Sequence, residues 1–192
     1  QVYATHAHGG NAARVYHVFC DEKQQEWLLT DNGLIKVTDD RQEPVTYFIN
    51  VKSGKDDSVQ AFYSYCCADQ ALYFGSDKGR IWCYSLKDEI FHLWELPVKD
   101  RVVAINEIKG IGLLITTSHE GLMLYNPETK ESKIYDKSNC PEFPTDAFHS
   151  VYVDSKQEAW FEMTEWGEVC HFNPFTGVFK QVKMQVEPRG AD

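Results

Sequence analysis

The stretch Leu114-Ile115-Thr116-Thr117-Ser118-His119-Glu120-Gly121-Leu122-Met123-Leu124-Tyr125-Asn126-Pro127-Glu128-Thr129 decides the fold. Two apolar runs of strand length flank a short polar tip that ends in glycine. This is the pattern of a β-hairpin, because glycine supplies the positive φ that a tight reversal needs. The tip recurs. Thr30-Asp31-Asn32-Gly33, Ser76-Asp77-Lys78-Gly79, Ser118-His119-Glu120-Gly121 and Thr164-Glu165-Trp166-Gly167 each set a hydroxyl residue three positions before glycine. The four glycines lie 46, 42 and 46 residues apart. Runs such as Trp27-Leu28-Leu29, Leu72-Tyr73-Phe74 and Trp160-Phe161-Glu162 precede the other tips, and Leu34 to Val37, Arg80 to Tyr84 and Glu168 to Phe172 follow them.

Each hairpin has one more strand on either side. Upstream lie Arg14 to Cys20, Ala61 to Cys67, Val102 to Ile108 and Phe148 to Val153; downstream lie Val45 to Asn50, Ile90 to Leu96, Ser132 to Tyr135 and Val178 to Met184. The last two repeats join their third and fourth strands through Asn126-Pro127-Glu128-Thr129-Lys130 and Asn173-Pro174-Phe175-Thr176-Gly177. Asn caps such a turn, Pro presets φ, and Lys or Gly takes the reversal. Four antiparallel strands in about 45 residues are the period and strand count of a propeller blade. The expectation is an all-β β-propeller with four four-stranded blades at about 13–50, 60–96, 102–136 and 147–184, a partial ring of a larger propeller filling 1–192. Val51 to Ser58, the most polar stretch, reads as a loop between blades. No long run places apolar residues at helical spacing, and β-branched and aromatic residues dominate.

The composition fits. The chain has 192 residues, and its 43% hydrophobic content is far above that of disordered chains. A net charge of −10 disfavours nucleic acid, whose phosphates an acidic surface repels. No apolar run approaches the ~20 residues that span a bilayer. Gln1 to Gly10 lacks a charged segment followed by an apolar one, so the sequence reads as a mature or trimmed chain. The six cysteines, Cys20, Cys66, Cys67, Cys83, Cys140 and Cys170, fit a disulfide framework by number. Five sit in apolar runs, where a free thiol packs as a small hydrophobe, and a chain of this size builds a core without staples. Adjacent Cys66-Cys67 lack the spacing of a zinc knuckle, and His6-x-His8 near the terminus reads as frayed chain rather than a metal site. No metal or cofactor is expected.

The first repeat (Trp27-Leu28-Leu29-Thr30-Asp31-Asn32-Gly33-Leu34), the third repeat, and the Asn-Pro turns together resemble the two-component regulator propeller repeat. The second and fourth repeats depart from it, with Tyr73 for Trp and with Arg80 and Glu168 for Leu. The resemblance implies the extracytoplasmic sensor region of a bacterial hybrid two-component histidine kinase/response regulator. It implies a periplasmic part of an inner-membrane protein, recognising an oligosaccharide and signalling to a kinase outside this chain. It also implies further blades beyond four, and Trp27 and Trp160 as packing between blades. Other propeller signatures fit less well. Ser76-Asp77-Lys78-Gly79-Arg80-Ile81-Trp82 has its Asp one place early for an Asp box, Trp94-Glu95 stands alone, and no paired glycines of the Kelch kind occur at the blade positions.

The tips carry the candidate ligand-binding residues Asn32, Lys78, His119, Glu120 and Trp166. Equivalent tips share one face of a propeller, and an exposed indole such as Trp166 offers a platform for a sugar ring. The plain alternative is a packing or subunit contact. Asp31, Asp77, Glu120 and Glu165 could serve a glycosidase, but carboxylates also favour turns for local reasons. No Gly-x-Ser-x-Gly elbow and no phosphate loop occurs. No catalytic residue is assigned. A ligand-sensing module leads; a propeller enzyme acting on glycans and an interaction scaffold remain as alternatives. The exposed faces of end blades are expected to take remaining blades or a second copy.

Overall fold

The computed structural model describes residues 14–31, 33–37, 45–47, 61–68, 70–141, 143, 145–148, 150–162 and 168–183. These form sixteen strands and, among the described residues, no helix; none is therefore long and apolar enough to cross a membrane. The first sheet holds β1 (Val15–Cys20), β2 (Glu26–Thr30), β3 (Gly33–Lys36) and β4 (Val45–Tyr47). The second holds β5 (Phe62–Ala68), β6 (Ala71–Ser76), β7 (Arg80–Ser85) and β8 (Phe91–Glu95). The third holds β9 (Val102–Ile108), β10 (Gly112–Thr117), β11 (Leu122–Tyr125) and β12 (Ser132–Tyr135). The fourth holds β13 (Val151–Val153), β14 (Ala159–Glu162), β15 (Glu168–Asn173) and β16 (Val178–Lys183). Each sheet is a meander whose strands pair in chain order, as the repeats require. β13 starts three residues later than the sequence suggests. Phe148 turns inward instead of pairing and packs on Phe143 and Phe161, with ring centroids 5.5 and 5.0 Å apart. The Val51 to Ser58 loop, His6 and His8 lie outside the described residues.

The chain divides into two compact units at Val102/Val103. In unit 1 the first two sheets meet along an aromatic seam. Trp27 is fully buried, its indole 5.3 Å from the Tyr84 ring and 6.3 Å from Phe74. Phe19 stacks on Tyr65 at 4.0 Å and 12°. Each such pair adds about 0.5–1.5 kcal/mol beyond the area it buries. In unit 2, Leu114, Leu122 and Leu124 of the third sheet join Phe161, Cys170 and Phe172 of the fourth in one core, with Tyr135, Phe143 and Phe148. Trp27 is thus inter-blade packing, as expected. Trp160 does not take part in the packing between the third and fourth sheets. It stands half-buried on the face of β14 opposite the core, because the core-facing positions there are Ala159 and Phe161.

The turns explain the repeat. Asn126 Oδ1 accepts hydrogen bonds from the amides of Glu128 and Thr129, and Asn173 Oδ1 accepts from those of Phe175 and Thr176. Lys130 and Gly177 close the two turns with φ of 63° and 73°, so a non-glycine residue holds the left-handed position in one of them. At the hairpin tips, the Thr30 hydroxyl donates to the carbonyl of Gly33, that of Ser76 to Arg80 and that of Thr117 to Gly121. In the third repeat the closing hydroxyl is therefore Thr117 rather than Ser118, in a tip one residue longer than the first. Gly79 is required twice over. Its φ is +63°, and a Cβ there would collide with the backbone of Val98 in the connector that follows β8. All six cysteines are free thiols: Cys66, Cys83 and Cys170 are buried, Cys67 and Cys140 half-buried and Cys20 exposed. Burial first, then the charges of Asp21 and Glu22, pushes the Cys67 thiol up to about 11; burial does the same to Cys170.

Candidate ligand-binding site

Antiparallel order puts the starts of β1 and β5 at the same end of unit 1 as the β6–β7 tip and the connector 96–101. The connector is tied to the tip by two backbone bonds, Leu96 N to Gly79 O (2.8 Å) and Gly79 N to Asp100 O (2.7 Å). At this end the first strand of each sheet slips register by one residue, between Val15 and His17 in β1 and between Phe62 and Ser64 in β5. The slipped residues are Tyr16 and Tyr63. A bulge of this kind re-aims a side chain and is common beside functional sites. Here it brings the two phenol rings to 5.2 Å at a 55° tilt, with Tyr16 exposed.

Arg101 and Asp77 complete the group. The Arg101 guanidinium carbon lies 4.1 Å over the Tyr63 ring, a cation–π distance. Arg101 Nε donates to Asp77 Oδ1 at 3.0 Å, and the Tyr63 hydroxyl donates to Asp77 Oδ2 at 3.0 Å. His17 Nε2 lies 3.0 Å from the Tyr63 carbonyl; a carbonyl only accepts, so this nitrogen carries the proton. Burial, then the hydrogen bond to Asp77 and the Asp77 charge, raises the Tyr63 phenol to about 12. The hydrogen bond to Asp77 also holds the Arg101 guanidinium above its usual range. Both oxygens of Asp77 accept hydrogen bonds, and the raised Tyr63 phenol keeps its proton. The arrangement suits binding, with two ring faces and a guanidinium whose side chain is 46% exposed.

A second polar group lies in unit 2, at the end of the fourth sheet that carries its β13–β14 and β15–β16 turns. His171 Nε2 is 2.9 Å from Glu158 Oε2, and Asn173 Nδ2 donates to Glu158 Oε1 at 2.6 Å. The Trp160 ring packs on the His171 ring at 4.4 Å, and Trp160 Nε1 donates to Asp154 Oδ2 at 3.2 Å. Among the described residues no group of three or more His, Cys, Asp or Glu could hold a metal ion.

The tip residues named from the sequence divide. Lys78 is exposed on the unit 1 tip next to Asp77, while His119 and Glu120 are exposed on the third-sheet tip in unit 2. Asp31 accepts from the amide of Arg14 at 2.9 Å. Asn32, Glu165 and Trp166 lie outside the described residues. Sequence reasoning missed Tyr16, Tyr63 and Arg101. The signal was present, since Tyr16 and Tyr63 stand 47 residues apart, close to the tip spacing, in strands read only for their apolar content.

Comparison with solved structures decides the architecture. The extracellular domain of BT4673 from B. thetaiotaomicron, described as a one-component or a hybrid two-component system, matches with a TM-score of 0.72. Identity is 18%, over 97% of this chain and 24% of that one. The fold is a β-propeller, and each sheet is one of its blades. The extracellular domain of BT3049, a hybrid two-component system of the same organism, matches at 0.71 and 17% identity, over 88% of this chain and 24% of that one. Virginiamycin B lyase from Staphylococcus aureus matches at 0.67 and 13% identity, over 90% of this chain and 56% of that one. The chain spans about a quarter of the length of the two-component extracellular domains it matches. No protein-family model matches the chain, and no curated protein matches it in sequence.

Proposed function

We propose that this chain is part of the extracytoplasmic sensor of a bacterial hybrid two-component receptor of the inner membrane. It binds an oligosaccharide in the periplasm and signals to a histidine kinase beyond this chain. The observation that carries the reading is the bulged pair Tyr16 and Tyr63 beside Arg101 and Asp77, an aromatic and polar surface with an exposed guanidinium. The fold shared with sensor domains and the repeat resemblance support it. In unit 1 the exposed Lys78, next to Asp77, extends this surface; His119 and Glu120 of unit 2, with Asn32 and Trp166 from the sequence, are separate candidate ligand contacts. Further blades complete the ring. In unit 1 a neighbouring blade covers the row containing Trp27, and we expect another blade to cover the Trp160 row.

Calorimetry against a panel of oligosaccharides tests this. Saturable binding is expected, weakened at least tenfold in Tyr16→Ala or Tyr63→Ala, with no new reducing ends after long incubation. Absence of any saturable binding overturns the reading. The His171–Glu158 pair favours a second reading, a propeller enzyme acting on glycans, since a carboxylate-oriented histidine can serve as a base. Glycan turnover that disappears in His171→Ala decides for it.

A further inference from the structure

We propose that the ligand at Tyr16, Tyr63 and Arg101 is an acidic saccharide whose ring carboxylate docks on Arg101; this rests on the sensor reading above and names the substrate class of that site. Arg101 spends Nε on Asp77, and its planar group is fixed over the Tyr63 ring at 4.1 Å. Its two terminal nitrogens have no protein partner among the described residues. A guanidinium held this way presents a fork whose geometry matches a carboxylate. Asp77 orients it through Oδ1, while its Oδ2 accepts from the Tyr63 hydroxyl. The exposed Tyr16 ring, 5.2 Å from Tyr63, supplies an apolar face with a polar edge, which suits the face of a pyranose.

Local charge agrees. The chain carries −10 overall, yet this end of unit 1 gathers Arg14, Lys78, Lys99 and Arg101 against Asp31, Asp77 and Asp100 among the described residues. A carboxylate approaching here meets four cations against three anions among the described residues at this end. A neutral sugar would leave the Arg101 fork without a use, and a simple anion would leave the two rings without one.

Calorimetry with galacturonate, glucuronate and mannuronate trisaccharides, each beside its carboxyl-reduced neutral counterpart, tests this on the unaltered protein. At least one uronate is expected to bind, and its reduced form at least tenfold more weakly. Arg101→Gln and Arg101→Lys are both expected to lose at least tenfold for the uronate, Lys because it keeps the charge but not the fork. Binding of a reduced form as tight as its acid overturns the inference and leaves the sensor reading standing. Binding of neutral saccharides alone does the same. If nothing in either series or the wider panel binds, both fall. Should either Arg101 variant unfold, the acid-to-neutral ratio on the unaltered protein still decides.

Discussion

Blades one and four contain the same turn. Asp21-Glu22-Lys23-Gln24-Gln25-Glu26-Trp27 and Asp154-Ser155-Lys156-Gln157-Glu158-Ala159-Trp160 share Asp, Lys, Gln and Trp at fixed places. Both fold alike. Asp21 Oδ1 accepts from the amides of Lys23 and Gln25, and Asp154 Oδ1 from those of Lys156 and Glu158. The other oxygen of each takes the indole N–H of its Trp, at 2.9 and 3.2 Å. Gln24 and Gln157 hold φ of 60° and 64°. The surroundings then diverge. Phe19, Trp27 and Lys36 form a cross-strand row in blade one, and blade two buries Phe19 and Trp27. The matching row in blade four is Tyr152, Trp160 and His171, where Tyr152 is 67% exposed. A local motif thus sets the turn and the aim of the indole, while a neighbouring blade sets its burial.

The largest way to break this comparison is truncation. Trp27→Ala is expected to cost about 3–5 kcal/mol, the range for emptying a fully buried aromatic site, and Trp160→Ala about 1 kcal/mol or less, in urea unfolding. Equal losses would mean that both indoles are core. A smaller effect sharpens the shared turn. The amide of Glu158 foremost, with the Trp160 indole and the Lys156 amide and charge, holds the Asp154 carboxyl below its ordinary range. A depressed folded-state pKa stabilises above the ordinary carboxyl range and is lost as pH falls through the folded value. Asp154→Ala is therefore expected to be less stable than the parent at neutral pH, with the difference shrinking in strong acid. The mildest test concerns the ligand end. In Asp77→Asn the Tyr63 phenol, now near 12, is expected to titrate lower, though still above 10.0 because its burial remains, as read by ultraviolet absorbance. An unchanged titration would remove Asp77 from the account of Tyr63.

Most of the fold was legible because propeller blades advertise themselves locally. The tip glycines, the flanking apolar runs and the Asn-Pro turns sit at repeat spacing, and each is an interaction within a few residues of chain. The burial of Trp160 was not legible, because it depends on what packs against that face of its blade and not on its own strand. The candidate site was only half legible. Asp77 was visible at a tip. Arg101 comes from the connector, 24 residues on, and Tyr16 and Tyr63 depend on register slips that alternation in a strand does not announce.

Acrylamide quenching of two single-tryptophan proteins tests the central claim most directly, that one turn motif is buried or open according to its neighbour. One keeps only Trp27, the other only Trp160, with every other Trp replaced by Phe. Strong quenching of Trp160 and near-complete protection of Trp27 is the predicted result. Equal protection of the two indoles in the folded chain would contradict it.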